Sequence, residues 1–248
     1  MRVQHYVAAR GFPCARPLTR PTYANGIATH AEEFRPGGEI RRGDAPADAE
    51  IAARLFAELM NQLDGVEADP PLPNPEWVNW DHDGPGLFPP NPNHEAREAA
   101  AAVPAWILET GTRVRKRLLR HDLPCRVGHA DWEAQNLRWN GDEPHAVHDW
   151  DSLAWLTEAA LAGAASGAFA TAEIPTLAPL TSSAAFLDAY QDARGRPFSR
   201  AEREIAWAAS LWPAVHNARG QFLWWTEDRF AYDALALQAD ERLRLAGA

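Results

Sequence analysis

The stretch from Cys125 to Trp155 constrains this chain most, because there the helical period of the surrounding sequence gives way to short extended runs bearing acids. Val127-Gly128-His129-Ala130-Asp131-Trp132-Glu133-Ala134-Gln135-Asn136 leads into the apolar run Leu137-Arg138-Trp139. Ala146-Val147-His148-Asp149-Trp150-Asp151 then reads as a second strand ending in acids, with Gly141-Asp142-Glu143 as the turn between the two. A hairpin of that kind carries Asn136 back beside Asp149, so the rest of the chain must fold around a small polar junction.

The flanks are helical. Ile51, Leu55, Leu59 and Leu63 recur every four residues, with Ala52 and Phe56 beside them, and lay an apolar stripe along one helix face. Helical runs are expected from His94 to Arg120 with a bend near Pro104, from Leu156 to Ala170, from Ser182 to Ala193, from Ser199 to Thr226 and from Phe230 to Leu245. Ser199-Arg200-Ala201-Glu202 has the spacing of a capping box, and Pro213 should kink or divide the helix it opens. Before the stripe, Arg2 to Ala9 reads as a helix closed by Gly11 and Pro13. Two short extended runs flank the turn Ala24-Asn25-Gly26, and Arg35-Pro36-Gly37-Gly38 reads as a linker. From Asp69 to Asn93 a loop dense in Pro, Gly, Asn and Asp carries Trp77, Trp80, Leu87 and Phe88, expected to anchor it to the body. The fold class expected is therefore α+β and mostly helical.

Composition narrows the partners. A chain of 248 residues, 46% hydrophobic and 23% charged, can bury a sizeable core. The net charge of -10 argues against general nucleic-acid affinity, which needs clustered Lys and Arg; Lys116 is the sole lysine. No apolar run is long enough for a membrane helix, and the start lacks a secretory h-region, so a cytoplasmic protein is expected, with no membrane partner. In that setting Cys14 and Cys125 are expected as reduced, buried thiols.

His129-x-Asp131-x4-Asn136 followed by the apolar-Asp149-aromatic-Asp151 strand resembles the catalytic and metal-binding motifs of the aminoglycoside phosphotransferase and choline kinase-like family, which has a protein kinase-like fold. The resemblance spans about Pro13 to the C-terminus. It implies transfer of the γ-phosphate of ATP or GTP to a hydroxyl or amine of a small molecule. It also implies Asp131 as catalytic base, His129 as its buttress in the catalytic loop, and Asn136 and Asp149 as Mg²⁺ ligands, with Asp151 a second acid. Glu33 and Phe34 fall in the hinge, where the backbone would hold adenine. The acceptor would enter between the catalytic segment and the helices after Trp155. Ala130 and Gln135 stand where the family usually or often has glycine.

By the same resemblance, residues 1–38 read as a remnant of the N-lobe and residues 39–248 as the kinase-like C-lobe. Arg2 to Ala9 looks like the end of the helix that carries the family's glutamate, and neither a glycine-rich loop nor a strand lysine is visible. Weak ATP binding and little activity are the corresponding expectation, whether the start lies further upstream or the chain is a degenerate relative.

Four other readings compete. Asp131, Asn136 and Asp149 are also residues that cap turns and close loops. Cys125, His129, His145 and His148 have the residue types of a zinc site, though not its usual spacing. A non-catalytic nucleotide- or small-molecule-binding module would keep the pocket without transfer. Trp224 and Trp225 near Glu227 and Asp228 could line a cationic pocket, although an aromatic core explains them as well.

Overall fold

In the computed structural model the chain is described over residues 1–66, 74–98, 102–224, 227 and 229–248. Part of the loop from Asp69 to Asn93, together with Trp225 and Asp228, lies outside those residues.

Helix α1 (Arg2–Ala8) is followed by the hairpin β1 (Thr22–Ala24) and β2 (Ile27–Thr29). Its turn has Asn25 and Gly26 at φ 53° and 78°, both in the left-handed region that a two-residue hairpin turn demands. Helix α2 (Pro46–Gln62) carries the four-residue stripe, and Leu55, Leu59 and Leu63 are buried. Proline starts it, where a missing N–H costs nothing.

The expected run from His94 to Arg120 is two helices, α3 (Pro92–Glu98) and α4 (Ala105–Leu118). Pro104 is the N-cap of α4, so it begins a helix where a bend was expected. Strands β3 (Cys125–His129), β4 (Leu137–Asn140), β5 (Glu143–Val147) and β6 (Leu153–Thr157) follow. β6 replaces the start of the helix expected at Leu156. Thr157 caps α5 (Glu158–Ala168), its hydroxyl accepting from Ala160 N at 3.2 Å.

Helices α6 (Leu180–Arg194), α7 (Arg200–Trp224) and α8 (Phe230–Ala246) complete the body. The capping box is present: Glu202 N donates to Ser199 Oγ at 3.2 Å, and Ser199 N to Glu202 Oε2 at 2.8 Å. Pro213 lies inside α7 without dividing it.

Helix α7 packs on α5, α8 and α4, while α2 lies along α6. Gly163 and Gly167 of α5 face α7 so closely that a Cβ at Gly163 would lie 2.1 Å from Ala206 O, and one at Gly167 2.5 Å from Ser210 O. The two backbones therefore touch.

Antiparallel β3–β6 and β4–β5 form the platform above these helices. The first segment joins the second pair: Val147 N donates to Pro13 O at 2.7 Å, and Glu39 and Trp139 exchange backbone hydrogen bonds at 2.8 and 3.0 Å. Phe56 of α2 is the hinge of the packing, with Trp132 at 4.8 Å and Tyr190 at 5.7 Å between ring centroids. Cys14 is buried as expected, but Cys125, at the outer end of β3, is exposed. No helix among the described residues is long and apolar enough to cross a membrane.

Candidate active site

Asp131, Asn136 and Asp149 meet where the two strand pairs abut. β3 delivers His129 and Asp131 to the top of the platform because Gly128 lets the strand settle on Leu161 of α5, where a Cβ would come within 2.6 Å of its Cδ1. The loop after Asp131 is pinned from below by Trp132, which is buried and donates its indole N–H to Ala52 O at 3.2 Å. A single 3₁₀ turn (Ala134–Asn136) then brings Asn136 back. Its Nδ2 donates to Asp131 Oδ2 at 2.7 Å and to Asp131 O at 3.0 Å. That leaves Asn136 Oδ1 as the amide atom available to a cation. From the other side, His148 N donates to Asn136 O at 2.9 Å and fixes the register that presents Asp149.

Asp149 has φ 63°, the left-handed region, where Asp is tolerated better than most side chains. The turn aims its carboxylate at Asp131 and Asp151 and lets Ser152 Oγ donate to Oδ2 at 2.6 Å.

Burial, then a hydrogen bond with Asp149, raises the Asp131 carboxyl to about 6. Asp149 stays low, because hydrogen bonds from Asp151, Ser152 and Asp131 outweigh the opposing effect of burial. Asp151 is pushed up, first by its hydrogen bond with Asp149. Three carboxyl groups thus act on one another at close range, an arrangement that a divalent cation would relieve. Their oxygens and Asn136 Oδ1 form a hard donor set that fits Mg²⁺.

His129 lies beneath this group with no exposure. Its Nε2–H donates to His148 O at 2.9 Å, and Nδ1 accepts from Asp131 N at 3.2 Å. The ring therefore ties both acidic turns together as a neutral imidazole, and burial depresses its pKa further. Trp132 and Trp150 pack edge-on against it at 5.7 and 5.8 Å.

Two neighbours escaped the sequence reading. Ser152 orients Asp149, and Glu133 is pushed up to about 8 by burial and then by the charge of Asp131. Only its place two residues after Asp131 could have singled out Glu133.

Glu33 and Phe34 do not join this group. Glu33 N donates to Arg16 O at 2.8 Å, which extends the pairing of the first hairpin, and Phe34 is 86% exposed. Glu32, next to them, is near enough to help raise Asp151.

The four residues of the zinc alternative do not converge: Cys125 and His129 are at opposite ends of β3, and His145 Nε2 pairs with Pro36 O at 3.0 Å. Trp224 is 43% exposed rather than part of the core, and Arg97 stacks on its ring at 3.5 Å, so a cation of the chain itself occupies that face.

The sequence model of the phosphotransferase enzyme family matches residues 1–157, which takes in α1 and the whole acidic site. A comparison with curated protein sequences finds no match. Among solved structures, an amicoumacin kinase in complex with AMP-PNP, Ca²⁺ and Ami superposes with a TM-score of 0.64 at 10% identity, over 98% of this chain and 75% of that one. A choline/ethanolamine kinase family protein from Mesorhizobium loti gives 0.58 at 16% identity, over 99% and 77%. An aminoglycoside phosphotransferase from Alicyclobacillus acidocaldarius gives 0.55 at 11%, over 99% and 80%. These are kinase-like folds, mixed α+β and mostly helical, as the sequence led one to expect.

Proposed function

Because the chain belongs to the phosphotransferase enzyme family, we propose that it moves the γ-phosphate of ATP or GTP to a hydroxyl or amine of a small molecule, with Asp131, Asn136 and Asp149 as its working groups. The observation that carries this reading is the convergence of the three side chains, above all the 2.7 Å bond from Asn136 Nδ2 to Asp131 Oδ2 with Asp149 against the same carboxyl.

Asp131 is the only one of the three poised to take a proton near neutral pH. As the acceptor oxygen or nitrogen bonds to the γ-phosphorus, its proton passes to Asp131. The bond from that phosphorus to the β–γ bridging oxygen breaks, and the nucleoside diphosphate leaves. Asn136 Oδ1 and the Asp149 carboxylate would hold Mg²⁺, which supplies charge neutralisation for the phosphates when bound. Asn136 keeps Asp131 aimed, and His129 fixes the two turns relative to each other. That a protein of similar fold forms a complex with AMP-PNP and Ca²⁺ supports a nucleotide and a divalent ion as the partners of this chain. Glu33 and Phe34 are proposed to meet the base through backbone groups other than Glu33 N–H, which already donates to Arg16 O.

A non-catalytic binding module is favoured by one observation: Lys116, the sole lysine of this sequence, is exposed on helix α4 rather than carried on a strand beside the acidic group. Calorimetric titration with ATP and Mg²⁺, followed by an acceptor screen, separates the two. Heat of binding that disappears in Asp149→Ala, and phosphate transfer that disappears in Asp131→Asn, are the expected results. Nucleotide binding without transfer to any acceptor would leave only the binding module, and transfer undiminished in Asp131→Asn would remove Asp131 as the base.

A further inference from the structure

We propose that Glu76, His94 and His216 form a zinc site that clasps the segment 74–98 onto helix α7 and uses none of the residues assigned to phosphate transfer. One ligand atom from each of the three lies within 4.8 Å of the others. Glu76 opens a 3₁₀ turn (Glu76–Val78), His94 is on the short α3, and His216 is on α7.

The atoms are orphaned in the way metal ligands are. Glu76 Oε1, His94 Nδ1 and both ring nitrogens of His216 are shielded from solvent and have no hydrogen-bond partner. His94 Nδ1 and Glu76 Oε1 are 2.8 Å apart yet not aligned as a hydrogen bond, and His216 Nε2 is 3.9 Å from the same oxygen. Buried polar atoms left bare are costly, and three of these, Glu76 Oε1, His94 Nδ1 and one ring nitrogen of His216, lie close enough to share a partner. Ligand atoms about 2.0–2.2 Å from a tetrahedral zinc stand roughly 3.3–3.6 Å apart, so the 2.8 and 3.9 Å separations from Glu76 Oε1 need adjustments of about half an ångström or less to admit the ion.

The surroundings match as well. Asn91 Nδ2 donates to Glu76 Oε2 at 2.8 Å, while Asn91 Oδ1 accepts from Asn93 N and His94 N at 3.0 and 3.4 Å. One side chain thus holds the Glu76 carboxylate directly, as an outer-shell partner does, and caps the helix that carries His94. Phe88 meets His216 edge-on at 6.2 Å and Trp224 meets His94 at 5.8 Å, so aromatic rings wall the cluster. Two imidazoles and a carboxylate suit Zn²⁺ and leave a fourth position for water.

The test uses the full chain, stripped with chelator and titrated with Zn²⁺ against a chromophoric competitor, with Co²⁺ absorption as a second reading. One equivalent of zinc is expected, with a four-coordinate Co²⁺ spectrum and a higher melting temperature in zinc than in chelator. His94→Ala or His216→Ala should abolish the melting shift. Asn91→Ala should weaken zinc binding about 10–100-fold. Asp149→Ala should bind zinc as the parent does. No stoichiometric zinc, a six-coordinate cobalt spectrum, or loss of zinc in Asp149→Ala would each overturn the proposal. So would undiminished binding in the His94→Ala, His216→Ala double variant. If His216→Ala does not fold, His94→Ala and the parent's cobalt spectrum decide the matter.

Discussion

Asp149 pays for its position in backbone conformation. A left-handed residue with a Cβ costs about 1–2 kcal/mol, less for Asp, whose short polar chain bonds locally. Glycine removes that cost and alanine keeps it without the local bond. Both remove the same carboxylate from beside Asp131, so their difference isolates the backbone. Asp149→Gly is therefore expected to be about 1 kcal/mol more stable than Asp149→Ala in urea unfolding without metal or nucleotide. Equal midpoints would show that the turn is not strained. At the same scale, Asp131→Asn should fold like the parent and lose about 10²–10⁴-fold in transfer rate, read with any acceptor the screen finds. The residues of this junction were legible because their types and spacing are few and specific. Ser152 and Glu133 were not, since a serine and a glutamate carry no such signature until neighbours surround them.

Among the elements, the crossing of α5 and α7 is the least forgiving. Gly163 and Gly167 stand four apart and so share one face, opposite Ala206 and Ser210. Gly163→Ala gains helix propensity of about 1 kcal/mol but drives a methyl into the carbonyl of Ala206. The clash should win, with a net loss of about 1–3 kcal/mol measured by thermal or urea unfolding. A neutral or stabilised variant would mean the helices part easily. Helix existence was read correctly from periodicity, and the capping box at Ser199 was read to the residue. The crossing was missed, although the Gly-x-x-x-Gly spacing was its signal, because periodicity reports which face is buried and not how near the partner comes. Pro104 and Pro213 show the complementary limit. Each removes one N–H, but whether that ends, starts or merely loosens a helix depends on what packs around it.

At the scale of the whole molecule, one ion network ties the distant parts. Glu158 at the start of α5 is 6% exposed, accepts from Tyr190 Oη at 2.7 Å and from Arg194 Nε at 2.9 Å, and pairs with Arg126 of β3 at 3.1 Å. Arg194 continues to Asp64 at 3.0 Å, just beyond α2. Burial opposes the charge on Glu158, but the bonds from Arg194 and Tyr190 prevail and hold its pKa below 4.5. A lowered carboxyl stabilises the fold above its unfolded-chain value and stops doing so as pH falls through the folded one. The stability gap between the parent and Glu158→Gln should therefore be full at neutral pH and shrink below about 4.5. A gap that stays constant from pH 7 to pH 3 would mean that the charge of Glu158 contributes nothing. None of this could be read from the sequence, because the partners lie far apart in the chain.

The left-handed turn at Asp149 also bears on ancestry. An aspartate codon becomes a glycine codon by one base change, and here that change removes the carboxylate proposed to hold Mg²⁺ while easing the backbone that held it. Loss of the carboxylate by this route costs the fold less than the same loss through alanine, and selection on stability purges it correspondingly less. Descendants of such an enzyme could thus pass readily into binders that keep the architecture and the pocket while no longer turning anything over.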